Sequence, residues 1–387
     1  MKILWVKSDF LHPTNGGGQI RTLETLKRLH QRHEIHFAAL DLPQPGAGVC
    51  RSSEYCTKAY AVPHSVPRNF APRFWWQAAA SASTGLPLTV LRYRSRALLR
   101  LVEALTRRQK FDAVLCDFLA SAANIPELGN AVLFQHNVES MIWKRHTEHA
   151  PTPWHRAFCS AQYQRMLRYE GEVCRAAKTI VAVSGVDARE MQSLYGASRI
   201  ACVPTGVDIE YFTPPRAIQR THDLVFLGAM DWRPNMDGVK WFVGSVLPLI
   251  RARLPDASLL VVGRRGLSQR DSRIHVTGTV DDVRPYLWKS AVSIVPLRIG
   301  GGTRLKIYEA MAAKIPVVST SVGAEGLDVR DGENIAIADS PDAFAERCVA
   351  LLSDAEARRK QSQAAWEMVS ACYSWEVISR KFEQLLA

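Results

Sequence analysis

Short runs of apolar and β-branched residues alternate with amphipathic helical patterns along the whole chain. Such alternation indicates β-α-β units, which build parallel sheets covered by helices. The pattern forms two successive series. The first predicts strands near 2–6, 34–40, 112–116, 131–135, 179–183 and 200–203, with helices near 18–31, 95–109, 156–176 and 185–195. The second predicts strands near 224–228, 258–262, 274–277, 291–296, 316–319 and 335–337, with helices near 237–253, 282–289, 304–313, 341–353 and 355–370.

A turn-rich segment separates the two series. Residues 203–208 read Val-Pro-Thr-Gly-Val-Asp, and Pro214-Pro215 follows an aromatic pair. Proline and glycine at this density interrupt regular structure, and a chain of 387 residues suits two domains. We therefore predict an α/β protein with one domain over 1–205 and a second over 206–372. Residues 41–90 have weak periodicity, so no element is predicted there.

The composition is that of a globular protein, with 47% hydrophobic and 22% charged residues. The apolar run at 1–6 is too short for a secretion signal, and no stretch has the roughly 18 apolar residues of a spanning helix. Eight cysteines include no Cys-x-x-Cys pair, which favours reduced thiols. These features predict a cytoplasmic protein.

A glycine loop follows the predicted strand at 291–296. Gly301, Gly302 and Thr303 precede a helix, and backbone amides at a helix N-terminus bind anions. Because glycine has no Cβ, a phosphate can approach closely. The loop therefore predicts a diphosphate site, although a plain tight turn explains three glycines equally simply.

Three charged residues accompany this loop. Arg304 and Lys306 supply positive charge, and the arginine fork suits bidentate phosphate contact. Glu309 follows on the predicted helix, where a carboxylate is placed to accept the ribose hydroxyls of a nucleotide. The alternative is that Glu309 is an ordinary solvated helix residue.

A second glycine cluster follows the first strand. Gly17 and Gly18 open the helix that bears Arg21, and ligands of parallel sheets bind beyond the carboxyl ends of strands. The cluster predicts a ligand-binding loop, with a plain turn as the alternative. Neither glycine loop is the phosphate loop of NTPases, because the chain has no Gly-x-x-x-x-Gly-Lys-Ser/Thr sequence.

A third cluster follows an apolar strand at 131–135. His136, Asn137 and Glu139 come at the strand terminus, where a parallel sheet presents catalytic groups. A structural histidine is the competing interpretation.

Several motifs in order give the chain a family resemblance. They are Gly-Gly-Gly-x-x-Arg at 16–21, His-Asn-x-Glu at 136–139, VPTGVD at 203–208, FLGAMDWRPN at 226–235, GGGTRLKIYEAMA at 300–312 and VVSTSVGAEGL at 317–327. The chain thereby resembles glycosyltransferases of family 4. The resemblance implies the GT-B fold, in which two Rossmann-like domains with parallel sheets face each other across a cleft. It also implies that a last helix, within 373–387, completes the first domain.

The resemblance further implies a function. It predicts a retaining transferase that moves a sugar from a nucleotide-diphosphate-sugar, bound mainly by the second domain, to a sugar or lipid-linked acceptor in the first. His136, Arg304 and Lys306 are the implied catalytic residues. The implied donor-binding residues are Gly17, Gly18, Gly228, Gly301, Gly302, Thr303 and Glu309, and the residues implied for acceptor binding or support are Arg21, Asn137 and Glu139. The resemblance implies no cofactor, and no Asp-x-Asp metal motif occurs.

Two departures from the family pattern concern charge. The family commonly has paired glutamates eight residues apart, but Gly301 stands at the first position and only Glu309 at the second. It commonly has an arginine after the glycine of the first strand of the second domain and a lysine soon after. Here Ala229 and the Pro234-Asn235 pair occupy those places, so Arg304 and Lys306 are predicted substitutes.

The positive charge lies mainly in the N-terminal part. Residues 1–110 contain 17 Lys/Arg and 6 Asp/Glu, while the whole chain has a net charge of +12. Seven basic residues lie at 92–110, in the part of the chain that also carries Phe74-Trp75-Trp76. Basic residues beside aromatics predict peripheral contact with an anionic membrane, here its inner face. A solvated helix face is the alternative.

Three other functions remain open at this point. A sugar-nucleotide epimerase on the same fold needs no acceptor, and a catalytically silent partner subunit accommodates the displaced charges. Nucleic-acid binding is suggested by charge alone, but no recognised binding motif accompanies it. We therefore expect no nucleic-acid partner.

Overall fold

The computed structural model describes the chain apart from residues 15, 43–46, 68–71, 149, 217, 265–270, 300–303 and 387, and apart from the side chains of 47, 72–75 and 78. The chain divides into two compact units. Unit 1 comprises Met1–Pro204 and Ile378–Ala387, and unit 2 comprises Thr205–Val377.

Unit 1 contains a seven-stranded parallel sheet. Its strands are β1 (Lys2–Lys7), β2 (Glu34–Asp41), β3 (Lys58–Pro63), β4 (Ala113–Asp117), β5 (Ala131–Phe134), β6 (Thr179–Ala182) and β7 (Ile200–Cys202). They lie in the order β3-β2-β1-β4-β5-β6-β7. The order reverses between β1 and β4, and ligands of such sheets bind outside the carboxyl ends at this switch point.

Eight α-helices belong to the first 204 residues as described. They are α1 (Gly17–His30), α2 (Ala47–Cys50), α3 (Pro72–Thr84), α4 (Leu88–Tyr93), α5 (Arg96–Arg108), α6 (Glu139–Glu148), α7 (Pro153–Ala176) and α8 (Gly185–Tyr195). Leu98, Val102 and Leu105 lie on one face of α5 and pack into the core that covers the sheet. This spacing of four and three residues is that of an amphipathic helix.

Unit 2 contains a six-stranded parallel sheet. Its strands are β8 (His222–Leu227), β9 (Leu259–Val262), β10 (Ile274–Val276), β11 (Ser290–Val295), β12 (Val317–Ser319) and β13 (Ala336–Ile337). They lie in the order β10-β9-β8-β11-β12-β13. The switch point therefore lies between β8 and β11.

The helices that follow Pro204 in the described chain are α9 (Ile209–Phe212), α10 (Arg233–Trp241), α11 (Leu247–Arg253), α12 (Arg284–Trp288), α13 (Leu305–Ala312), α14 (Pro341–Ser353), α15 (Ala355–Tyr373) and α16 (Trp375–Gln384). A π-helical turn, Phe242–Val246, joins α10 to α11. The helix predicted at 237–253 is thus confirmed as one continuous helical run, which begins earlier, at Arg233, and contains this π-helical turn.

Helix α16 begins in unit 2 and belongs to unit 1 from Ile378 onwards. The start of this region stays with unit 2 because Val207 exchanges backbone hydrogen bonds with Tyr373 (2.8 Å) and Trp375 (3.2 Å). Farther along, the Phe382 ring lies 5.8 Å from that of Trp5 and 4.9 Å from that of Phe134.

The strands predicted from apolar runs are confirmed within one or two residues. The differences lie where periodicity is weak. Strand β3 and helices α2, α3, α4, α6 and α9 were not predicted, and α15 continues to Tyr373 rather than ending near 370. Strand β3 lies at the sheet edge with most of its residues exposed, so it lacks the continuous apolar run of a central strand.

Candidate functional site

A buried carboxylate organises the carboxyl edge of the unit 1 sheet. Asp117 ends β4 and accepts hydrogen bonds at Oδ2 from Trp5 Nε1 and Thr22 Oγ1, both at 2.8 Å. Its Oδ1 accepts from His136 Nε2 at 2.8 Å and lies 3.4 Å from the ammonium of Lys7. Burial alone would raise the pKa of Asp117, but Lys7 and these donors hold it well below its usual range. Asp117 is therefore ionised.

His136 is held as a neutral imidazole. A carboxylate only accepts, so the hydrogen bond to Asp117 assigns the ring proton to Nε2. The ring stacks on Phe118 with centroids 4.0 Å apart, and burial lowers the pKa of His136 to about 4. Its Nδ1 is buried and has no hydrogen-bond partner within the described part of the chain. That nitrogen therefore keeps an unused acceptor lone pair.

The second residue of α1 has to be small. A Cβ on Gly18 would lie 2.4 Å from Cζ of Phe118, which itself has a φ of +67°. Packing therefore accounts for the glycine at this position. The ligand-binding role predicted for Gly17 and Gly18 stays a prediction, and Asn15 lies outside the described residues.

A cavity of about 310 Å³ opens beside Lys7 and Phe118, the neighbours of Asp117. Its polar lining includes Lys7, Asp9, Gln19 and Glu139, and its apolar lining includes Tyr93 and Phe118. Burial and the neighbouring Glu170 raise the pKa of Glu139 to about 7, while a hydrogen bond from Asn137 opposes the shift. The cavity therefore offers both hydrogen-bonding groups and an aromatic wall.

Two buried residues, Glu170 and Arg21, hold the backbone around His136 and Glu139 in place. Glu170 of α7 accepts from the backbone N–H groups of Glu139 (3.0 Å) and Ser140 (2.8 Å), so it stabilises the start of α6. The guanidinium of Arg21 is buried and donates to the carbonyls of Gln135 (2.6 Å) and Val203 (2.5 Å). Arg21 thus joins the ends of β5 and β7, and its predicted role in acceptor binding or support stays a prediction.

Asp117, Lys7, Phe118 and Glu170 were missed in the sequence. Each is an isolated residue without a motif, and its partners lie far away in the chain. The available signal was the position of Lys7 and Asp117 at the ends of the apolar strands β1 and β4, the same signal that identified His136.

Backbones approach closely at the carboxyl edge of the unit 2 sheet. A Cβ on Gly263, after β9, would lie 2.1 Å from the carbonyl oxygen of Gly228, after β8. The two loops are also joined by a hydrogen bond from Met230 N to Arg264 O at 2.9 Å. Gly263 is therefore required by the packing of these loops.

Lys306 reaches this same edge from α13. Its Nζ donates to Asn235 Oδ1 at 2.8 Å and lies 4.5 Å from the ring centroid of Phe226. The pKa of Lys306 is lowered to about 7, mainly by burial; Glu309 opposes this shift and Arg304 adds to it. The sequence did not predict the contact with Asn235.

The other two charged residues near the loop, Arg304 and Glu309, have different surroundings. Arg304 precedes α13 with a φ of +50°, and its Nη2 lies 3.4 Å from Glu325 Oε2. Burial raises the pKa of Glu309 to about 7, with Lys306 opposing the shift. Gly301, Gly302 and Thr303 lie outside the described residues, and the diphosphate contacts of this loop stay a prediction.

The basic face predicted for a membrane surface lies partly on α5, where Arg96, Arg100, Arg107 and Arg108 are exposed. Trp76 is 77% exposed, and the side chains of Phe74 and Trp75 lie outside the described set. Trp154, in the first turn of α7, is 87% exposed and was not predicted.

None of the described helices combines the length and the hydropathy of a membrane-spanning segment. Among the described His, Cys, Asp and Glu residues, no group is arranged to hold a metal ion.

Two family profiles match the chain. The profile described as "Glycosyltransferase Family 4" matches residues 15–211, and the one described as "Glycosyl transferases group 1" matches residues 221–354.

Solved structures resemble the fold over its whole length. The Anabaena protein HepE in complex with UDP and glucose has a TM-score of 0.68 at 13% identity, and the match covers 100% of this chain and 99% of that one. Sucrose-phosphate synthase of Thermosynechococcus elongatus has a TM-score of 0.72 at 16% identity, with 100% and 98% coverage. The GT-B fold class predicted from the sequence is confirmed.

Curated relatives are similar over shorter stretches. A phosphatidyl-myo-inositol mannosyltransferase of Mycobacterium tuberculosis is 28% identical over 218 residues, covering 51% of this chain and 56% of the relative. A D-inositol 3-phosphate glycosyltransferase of a Mycobacterium species is 30% identical over 202 residues, covering 45% and 44%. The chain thus spans about half the length of the curated relatives it matches.

Proposed function

The chain belongs to glycosyltransferase family 4, and on that premise we propose that it transfers a sugar from a nucleotide-diphosphate-sugar to an acceptor with retention of configuration. The anomeric carbon loses its bond to the diphosphate oxygen and gains a bond to the acceptor oxygen. The electron pair leaves with the nucleoside diphosphate, which also takes the proton of the acceptor hydroxyl.

The position of the Lys306 ammonium is the observation that supports the proposal most directly. The ammonium lies at the carboxyl end of β8, beside the switch point where parallel sheets bind ligands, and its hydrogen-bond partner is the neutral amide of Asn235. Within the described residues it forms no ion pair, so its charge is available to a phosphate. Stabilising the negative charge that develops on the leaving diphosphate is the main task of the catalyst in this reaction.

Neighbouring groups complete the donor side of the proposal. Arg304 adds a second cation, and Glu309 binds the ribose hydroxyls. We propose that these side chains and the amides of Gly301 and Gly302 make a divalent metal and any cofactor unnecessary.

The acceptor side rests on the unit 1 cavity. Glu139 and its neighbours offer hydrogen bonds to a hydroxyl-rich acceptor, and the aromatic wall suits the apolar face of a sugar or a lipid-linked head group. His136 contacts the transferred sugar through Nδ1, while Asn137 and Arg21 act as supports. Relatives whose names include phosphatidyl-inositol acceptors favour a lipid-linked substrate.

We propose that the protein is cytoplasmic and meets the inner face of the membrane as a peripheral protein. Exposed arginines of α5 attract anionic lipid, at about 1 kcal/mol for each basic residue near the surface. Exposed Trp76 and Trp154 suit the headgroup region.

A ligand panel followed by a transfer assay tests the function. Thermal unfolding with UDP- and GDP-sugars should show one stabilising donor, since a ligand at 100 times its Kd stabilises by about 2.7 kcal/mol. That donor, incubated with lipid extracts in EDTA, should yield a new glycoside. Lys306→Met should lower kcat by about 10²–10³-fold, whereas Glu309→Gln should mainly weaken donor binding. Epimerised donor without a glycoside, or activity that requires Mn²⁺ or Mg²⁺, would contradict the proposal.

A further inference from the structure

Asn235 is fixed in one orientation by two hydrogen bonds. Its Nδ2 donates to the carbonyl oxygen of Ala229 at 2.9 Å, and its Oδ1 accepts from Lys306 Nζ at 2.8 Å. The side chain lies in the first turns of α10 and is only 4% exposed. A flipped amide would direct an N–H group at the ammonium and an oxygen at a carbonyl, so both contacts select the same orientation.

The shape of the surrounding backbone leaves room for this contact. A Cβ on Gly228 would lie 2.5 Å from Asn235 Nδ2 and 2.9 Å from Lys306 Nζ. The ammonium therefore occupies the space that a side chain at the end of β8 would fill. The face of Phe226 below it supplies a cation–π contact at 4.5 Å.

We propose, resting on the function proposed above, that Asn235 is a positioning residue that holds the Lys306 ammonium at the end of β8 for the leaving diphosphate. It acts through Lys306 and does not itself touch the substrate. Asn235 is needed because the cation comes from α13 but acts beside β8. The contact with Asn235 holds the Lys306 ammonium at that place.

A neutral partner suits this task better than a carboxylate. A carboxylate would neutralise the ammonium before the diphosphate arrived, whereas an amide oxygen orients it and leaves its charge in place. Lys306 faces Glu309 and Arg304 from its own segment, and it faces the uncharged Asn235 and Phe226 from α10 and β8. Burial lowers the pKa of Lys306 to about 7, so a small electrostatic change alters its protonation near neutral pH.

Two substitutions separate positioning from structural support. Asn235→Leu keeps the branched shape but removes both the acceptor for Lys306 and the donor to Ala229 O, and in the folded variant we expect kcat to fall by about 10–100-fold with the donor KM changed by less than about threefold. Asn235→Asp places a carboxylate beside the ammonium. It should raise the pKa of Lys306, so the loss of activity at alkaline pH should move upward by about one pH unit or more.

The Lys306 pKa can be measured without catalysis. The ¹³Cε resonance of Lys306 in the unliganded protein, assigned with Lys306→Met, should titrate near pH 7 and at a higher pH in Asn235→Asp. Lys314→Met is the matched control, because Lys314 lies 4.3 Å from the ring of Trp366 in the same unit and has no role in the site. Its rate profile should equal that of the wild type.

An exchange of the two side chains gives a further test. The double variant Asn235→Lys with Lys306→Asn returns a cation to the same contact from the other side, and it should recover at least about tenfold in kcat over Lys306→Asn alone. The inference is overturned if folded Asn235→Leu turns over like the wild type, or if Asn235→Asp leaves both the alkaline limb and the ¹³Cε titration unchanged. A wild-type protein that neither binds nor transfers any nucleotide-sugar would instead refute the proposed function.

Discussion

Replacing Asp117 by asparagine should strongly destabilise unit 1. Three hydrogen-bond donors, Trp5, Thr22 and His136, converge on the carboxylate, and the ammonium of Lys7 is fully buried beside it at 3.4 Å. In Asp117→Asn the amide N–H₂ replaces one of the two carboxylate oxygens, so it faces either Trp5 Nε1 or the Lys7 ammonium. Neither of these groups can accept a hydrogen bond. The substitution therefore leaves a buried donor unpaired in either orientation.

The magnitude follows from these contacts. Breaking a buried ion pair by removing one partner costs about 3–5 kcal/mol, and leaving a buried donor unpaired costs about 1–3 kcal/mol. The terms overlap, so we expect a loss of about 4 kcal/mol or more. Since domains are stable by only about 5–15 kcal/mol, the variant should be close to unfolding. With a urea slope of about 2 kcal/mol/M, the midpoint should fall by roughly 2 M.

Hydrogen exchange of the amides in β1 and β4, followed in urea, measures this loss in unit 1 separately from unit 2. Asp112→Asn is the matched control, because Asp112 is exposed and accepts one backbone hydrogen bond from Lys2 at 2.6 Å. It should cost about 1 kcal/mol. Adding Lys7→Met to Asp117→Asn should recover part of the loss, since the uncompensated ammonium is then absent. A loss below 1 kcal/mol for Asp117→Asn, or no coupling to Lys7, would refute the reasoning.

Two other predictions concern pH and lipid. Unfolded histidine takes up its proton near pH 6.5, whereas folded His136 does so near pH 4, so unit 1 should lose about 3 kcal/mol of stability as the pH falls through this range. His136→Gln should lack this component in pH-dependent hydrogen exchange, and an equal slope in both proteins would show that His136 titrates normally. In vesicle flotation, the protein should bind anionic but not zwitterionic lipid, and less at high salt. Arg96→Gln with Arg100→Gln, or Trp154→Ser, should weaken binding while Arg253→Gln in unit 2 does not; indifference to lipid charge would contradict peripheral attachment.

The central strands of both sheets were predictable because each is an apolar run buried on both faces, which leaves a clear signal in a single sequence. Residues 41–90 gave no such signal. Strand β3 is mostly exposed at an edge, and the short helices around it have no long apolar stripe.

The site was predictable only where residues lie in motifs. His136 and Lys306 belong to such motifs, but the partners that determine their protonation do not. Asp117 meets Trp5 across 112 positions, and Lys306 meets Asn235 across 71. Such contacts depend on the order of strands in the sheet, which local patterns do not contain. A lone aspartate at a strand end looks like an ordinary surface residue until the sheet brings Lys7 beside it.

The late position of Phe382 bears on how the protein is made. This ring packs against Trp5 and Phe134 in the unit 1 core, yet the ribosome synthesises it only after all of residues 205–377. At about 5–20 residues per second, that interval lasts roughly 10–35 seconds. During this time the nascent first 204 residues expose the apolar surface that Phe382 later covers. The emerging chain should therefore be a substrate for chaperones in this interval, even though most of the strands of its first sheet have already left the ribosome.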